Sequence, residues 1–147
     1  MLIIKKMIVV IDNFLEKMDL EKYQDYVKNS GKSQHLIKDV KITEEFWSKY
    51  SSKCGDIGTE IYPYVTITNT SKPLARHKDG KLREERYKIL IYLNEIENGG
   101  TIFYVGGEEM KVKNAENRMV IFDMKIEHES EKFAGEEKKM VIGFRLK

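Results

Sequence analysis

Tyr87-Lys88-Ile89-Leu90-Ile91-Tyr92-Leu93, followed by Asn98-Gly99-Gly100 and Thr101-Ile102-Phe103-Tyr104-Val105, is the stretch that decides the fold. Its two runs are rich in β-branched and aromatic residues and are divided by turn formers, which marks neighbouring strands. The pattern extends both ways. Upstream, Ile61-Tyr62-Pro63-Tyr64-Val65-Thr66-Ile67-Thr68 has the same texture, and turn residues fill 69–73. Downstream, Gly106-Gly107 turns the chain, Met110-Lys111-Val112-Lys113 alternates, and residues 114–117 turn again. Met119-Val120-Ile121-Phe122 and residues 139–146 supply two further strands. Short strands at regular spacing with Gly and Asn turns predict an antiparallel sandwich or barrel.

The first third reads differently. Over residues 13–29, Leu15, Met18, Tyr23 and Val27 fall on one helical stripe, with Asn13 as N-cap, Glu16 three positions on, and Gly31 past the end. A shorter helix is predicted over 43–50, capped by Thr43 and opened by Glu44 and Glu45. Residues 30–41 between them are polar and read as irregular with room for a short strand. The apolar start, Ile8-Val9-Val10-Ile11 after Lys5-Lys6, reads as a buried strand. Helices preceding many strands make the class α+β, mainly β. No linker or internal repeat divides the chain, so residues 1–147 are expected to form a single domain.

Composition narrows the function. With 41% hydrophobic residues in 147, a sizeable core can form. A formal net charge of +2 gives no electrostatic case for nucleic acid or an anionic membrane as partner. The single cysteine, Cys54, excludes an intrachain disulfide and a Cys-rich zinc module, and suits a reducing, cytoplasmic compartment. No run reaches the roughly 18 apolar residues that span a bilayer.

Three histidines are present, at 35, 77 and 128. His77 and Asp79 are two apart, so on an extended strand both side chains point to one face. A second imidazole from a distant strand would complete two nitrogens and one carboxylate on one face of a metal, the arrangement suited to Fe(II) with open positions for a chelating co-substrate and oxygen. His128, just past the strand ending at Phe122-Asp123, is the candidate. A lone His-x-Asp is a weak signal. The competing readings are a surface His77 beside Arg76 and Lys78, and a solvated His128 between Glu127 and Glu129. His35 has no partner at metal spacing and reads as structural or exposed.

The surroundings carry more. Ala75-Arg76-His77-Lys78-Asp79, then Tyr87 to Glu95, then Glu97-Asn98-Gly99-Gly100-Thr101-Ile102-Phe103 resemble the prolyl 4-hydroxylase branch of the Fe(II)/2-oxoglutarate dioxygenases. Val10-Ile11-Asp12-Asn13-Phe14-Leu15, residues 112–122 and His128-Glu129-Ser130 with Gly135 and Lys138 extend that resemblance along nearly the whole chain. It implies a double-stranded β-helix (jelly-roll, cupin-like) core with N-terminal helices packed on it. It further implies that His77, Asp79 and His128 bind Fe(II), with no catalytic side chain beyond the metal site. Lys138 would pair with the far carboxylate of 2-oxoglutarate, and Tyr92 would donate a hydrogen bond to the same group. Lys139 is the rival of Lys138, because strand alternation turns only one of them inward. Thr68 and Leu74 stand where the family commonly has tyrosines.

The activity so implied consumes O2 and 2-oxoglutarate, releases succinate and CO2, and hydroxylates a C–H bond, most simply of a peptide or protein. Ascorbate is a candidate reductant. Two alternatives remain: an oxidative demethylase of alkylated nucleic acid, suggested by Lys139 and Arg145 six apart, and an inactive jelly-roll binding module. Residues 30–41 and the charged loop 80–86 are candidate substrate-facing elements. Oligomeric state is not legible.

Overall fold

The computed structural model describes residues 2–5, 8–55, 57–79, 84–133 and 137–147. Its centre is a seven-stranded antiparallel sheet. An N-terminal hairpin, β1 (Leu2–Lys5) and β2 (Ile8–Ile11), stands at one edge, and β3 (Gln34–Lys38) and β4 (Ile61–Thr70) stand at the other. Between them lie β5 (Tyr87–Tyr92), β8 (Met119–Asp123) and β10 (Lys139–Leu146), in the spatial order β1-β2-β8-β5-β10-β4-β3. A smaller sheet, β7-β6-β9, uses β6 (Thr101–Val105), β7 (Glu108–Val112) and β9 (Glu127–Ser130). The chain thus alternates between two sheets rather than running along one. This is the mainly β jelly-roll core that the resemblance implied.

Two helices, α1 (Lys17–Asn29) and α2 (Val40–Tyr50), cover one face of the large sheet. The reason is the alternation along β10. Met140, Ile142, Phe144 and Leu146 join the helix-side core with Val27, Ile42 and Phe46. Phe144 stacks on Phe46 at 4.0 Å between ring centroids with 7° between planes, and Tyr23 meets Phe144 edge-on at 6.3 Å.

Both expected helix starts move. Asn13 adopts φ 51°, which turns the chain away from a helix, and α1 begins at Lys17 after Glu16. The backbone donors at the expected helix start are taken across the fold instead. Phe14 N bonds Asn117 O at 3.1 Å, Leu15 N bonds Asn117 Oδ1 at 2.8 Å, and Glu16 N bonds Tyr50 OH at 3.0 Å. In the second helix the cap is Asp39, whose carboxylate accepts from Ile42 N at 3.1 Å. Thr43 lies inside that helix and its hydroxyl donates back to Asp39 O and Val40 O, both at 3.0 Å. Gly31 follows α1 at φ 67°, as a helix stop requires.

Candidate metal centre and cavity

The second face of the large sheet, together with β6 and β9, encloses a cavity of about 450 Å³. Along β5 and β10 the residues alternate into it: Lys88, Leu90 and Tyr92 from one strand, Lys139, Val141, Gly143 and Arg145 from the other. The register sets these in rows, with Val141 opposite Tyr92, Gly143 opposite Leu90 and Arg145 opposite Lys88.

His77, Asp79 and His128 meet at this cavity. A two-way backbone bridge, His77 N to His128 O and His128 N to His77 O, both 2.9 Å, ties the segment before β5 to β9. One ligand atom from each of the three residues lies within 4.8 Å of the others. His128 Nδ1 donates to Ile126 O at 3.0 Å and His77 Nδ1 donates to Ala75 O at 2.8 Å. A carbonyl only accepts, so each ring carries its proton on Nδ1 and presents an Nε2 lone pair. Those lone pairs face the Asp79 carboxylate at 3.2 Å (His77 to Oδ1) and 3.6 Å (His128 to Oδ2). With both rings neutral, three acceptors converge; the Lys88 ammonium, 3.3 Å from Asp79 Oδ2, reaches the carboxylate, and a cation seated between the two imidazoles and Asp79 would satisfy all three. A proton on His77 can serve, and Asp79 does push that imidazole's pKa up. A divalent metal serves all three groups at once: two imidazole nitrogens and one carboxylate are a donor set for a first-row metal such as iron. The residues fit.

Packing fixes the triad. His128 is 4% exposed and lies edge-on to Phe122 at 4.9 Å, with Phe103 at 5.8 Å. Burial pushes its pKa down, which keeps it neutral and able to ligate. Burial alone would raise the Asp79 pKa. The hydrogen bond and charge of a protonated His77, with the charges of Lys88 and a protonated His128, outweigh it and hold the carboxyl well below the usual range.

The lysine that enters the cavity is Lys139. Lys138, expected in this role, does not line the cavity: its side chain is exposed, and its backbone carbonyl accepts from Asn94 Nδ2 at 2.8 Å. The strand phase decides this, because Met140 and Ile142 belong to the helix-side core and Lys139 and Val141 must face the other way. Lys139 is 4% exposed, lies 5.5 Å from the Tyr92 ring centroid and donates to Gly100 O at 3.4 Å. Burial pushes its pKa down to about 8. Tyr92 lines the cavity, and its hydroxyl shares a 2.6 Å hydrogen bond with Thr101 Oγ1. Gly100 admits no side chain, since a Cβ there would meet Val112 O at 2.2 Å.

Thr68 and Leu74 also line the cavity, so where the family commonly has tyrosines this wall offers one short hydroxyl and one aliphatic side chain. Thr66 Oγ1 on that wall is buried without a hydrogen-bond partner among the described residues. Gln34, His35 and Leu36 of β3 reach the cavity rim, which places part of the polar 30–41 segment there. Of the 80–86 loop, residues 80–83 lie outside the described residues, as does Gly135. The sequence reading missed Lys88. Its period-2 phase with Tyr92, already placed on the cavity side, was the available signal.

No family model matches the sequence, and no curated protein matches it. Solved structures do. A prolyl hydroxylase from Trichoplax adhaerens, in complex with a hypoxia-inducible-factor oxygen-degradation-domain peptide fragment, superposes at a TM-score of 0.70 with 17% identity, over 95% of this chain and 82% of that one. A 2-oxoglutarate-Fe(II) oxygenase-family oxidoreductase from Burkholderia pseudomallei gives 0.72 at 8% identity, over 94% and 84%. HygX from Streptomyces hygroscopicus, with nickel, 2-oxoglutarate and hygromycin B bound, gives 0.67 at 12%, over 94% and 81%. The chain has the fold of the 2-oxoglutarate/Fe(II) oxygenases. Among the described residues no helix is long and apolar enough to cross a membrane.

Proposed function

We propose that residues 1–147 act as one Fe(II)- and 2-oxoglutarate-dependent dioxygenase domain, prolyl 4-hydroxylase-like, that hydroxylates a C–H bond of a peptide or protein. The observation that carries this reading is the convergence of three acceptors, from His77, Asp79 and His128, at a cavity whose far wall bears a buried lysine. Iron, when bound, supplies the coupling of O2 reduction and 2-oxoglutarate decarboxylation, with release of succinate and CO2, to substrate oxidation. The protein's part is placement. His77 and His128 present neutral nitrogens held by backbone carbonyls, and Asp79 supplies the one anionic ligand. Lys139, with Tyr92 beside it, receives the far carboxylate of 2-oxoglutarate as a charge-assisted contact in a dry site. The aromatic pair Phe103 and Phe122 excludes water behind His128. The peptide-bound prolyl hydroxylase among the similar structures favours a peptide or protein substrate over a small molecule.

Anaerobic titration with Fe(II) and 2-oxoglutarate tests the assignment. Wild type should develop the visible metal-to-ligand charge-transfer band, and His128→Ala should lose it, with metal affinity falling on the order of 100-fold or more. A wild type without the band reduces the chain to a binding module. Succinate release stimulated by a methylated oligonucleotide, and not by proline-containing peptides, would transfer the chain to the demethylase reading.

A further inference from the structure

Lys88 is neither a metal ligand nor part of the Lys139–Tyr92 end of the cavity. It sits on β5 in phase with Leu90 and Tyr92, 6% exposed, in a strand whose other residues are apolar or aromatic. Its stem crosses the sheet over Gly143, where a Cβ would stand 3.3 Å from Lys88 Cε, so glycine on β10 leaves the room the side chain uses. The ammonium ends 3.3 Å from Asp79 Oδ2. Arg145, the register partner of Lys88 on β10, lines the same end of the cavity and adds to the positive field felt there.

Two cations cannot share one buried carboxylate without cost. Without metal, Lys88 and Asp79 form an internal ion pair. A divalent cation on Asp79 would stand beside that ammonium in a nearly dry site, and the repulsion is relieved only if an anion arrives with the metal. Lys139 cannot supply the relief, since it is itself a cation and serves another part of the cavity. Resting on the dioxygenase reading, we propose that Lys88 anchors the carboxylate of the acid that binds the metal beside Asp79, and so makes metal loading and acid binding mutually dependent. The cavity then has two carboxylate subsites: Lys88 beside the metal ligands and Lys139 by Tyr92. It selects dicarboxylates end to end.

The two subsites separate by ligand and by variant. The full chain is titrated with Ni(II), a redox-silent stand-in, by calorimetry, alone and with saturating 2-oxobutyrate (one carboxylate) or 2-oxoglutarate (two). Lys88→Met should bind Ni(II) alone about tenfold more tightly than wild type and should lose about tenfold of the tightening that either acid produces. Lys88→Gln should follow it, and Lys88→Arg should restore the coupling. Lys139→Met should lose affinity for 2-oxoglutarate and keep that for 2-oxobutyrate. Unchanged metal affinity together with unchanged acid coupling in Lys88→Met and Lys88→Gln overturns the inference and leaves the dioxygenase reading standing. A Lys88 effect confined to 2-oxoglutarate also overturns it, because the residue would then serve the far end. A wild type that binds no Ni(II) with or without acid removes the dioxygenase reading itself, and the inference with it.

Discussion

The two faces of the seven-stranded sheet are built from the same strands and do opposite things. On the helix side β10 contributes Met140, Ile142, Phe144 and Leu146 to a continuous apolar core. On the cavity side the intervening residues are Lys139, Val141, Gly143 and Arg145, two of them buried cations. Every residue of β10 is buried, so burial does not tell the faces apart; chemistry does. The helix side gains free energy from dispersion and from apolar area removed from water. The cavity side gives some of it back in desolvated charge, which is what a site for an anionic ligand requires.

The largest test of that contrast is Phe144→Ala. Removing the ring that stacks on Phe46 leaves a void between sheet and helices and should cost about 3–5 kcal/mol in urea unfolding. A loss below about 1 kcal/mol would mean that the helices are not held by this face.

The next test moves to the cavity side, where removing a side chain should help the unliganded protein. Burial holds Lys139 at about 8, while an unfolded lysine titrates at about 10.4. Between those values the unfolded chain binds a proton that the folded chain does not, so the Lys139 contribution makes stability rise with pH across that window. Below about 8 both states are protonated and the full cost of burying the charge is present. Lys139→Met should therefore raise the melting temperature at pH 7 and flatten its rise toward pH 10. Affinity for 2-oxoglutarate should run the other way, falling about tenfold in the variant at pH 7 and, in wild type, weakening as pH passes 8. An affinity that is flat through pH 9.5 would detach Lys139 from the carboxylate.

Much of this was legible in the chain. The strands over Tyr87–Tyr92, Thr101–Val105 and Lys139–Leu146 are where β-branched and aromatic texture and turn residues placed them. The pairing of His77 with Asp79 needed only the two-residue repeat of an extended chain. What the sequence hid was tertiary. Asn13 looks like a helix cap because the partners of the residues after it, Asn117 for Phe14 and Leu15 and Tyr50 for Glu16, are far along the chain and give no local sign. β9 was not predicted, since Glu127-His128-Glu129-Ser130 has no strand composition; it is a strand because β6 pairs with it from Thr101 to Tyr104. The helix-side phase of β10, which chooses between two adjacent lysines, becomes visible only once Phe144 is seen against Phe46.

That choice defines the smallest expected effect. Lys138 and Lys139 are chemically identical neighbours, so their comparison isolates orientation from charge. Lys138 is exposed, and its backbone carbonyl accepts from the side chain of Asn94. Asn94 Oδ1 in turn accepts from Met140 N at 2.9 Å, so Asn94 clamps the start of β10 through main-chain atoms and is indifferent to the residue-138 side chain. Lys138→Ala should then leave stability within about 0.5 kcal/mol of wild type, as surface substitutions commonly do. Its affinity for 2-oxoglutarate should change by less than about twofold, because an exposed lysine one position out of phase is screened by water from the cavity. Calorimetry on Lys138→Ala beside Lys139→Met reads the strand phase directly. If the Lys138 variant loses the acid and the Lys139 variant keeps it, β10 is out of register by one residue, and Phe144 cannot then be packed on Phe46.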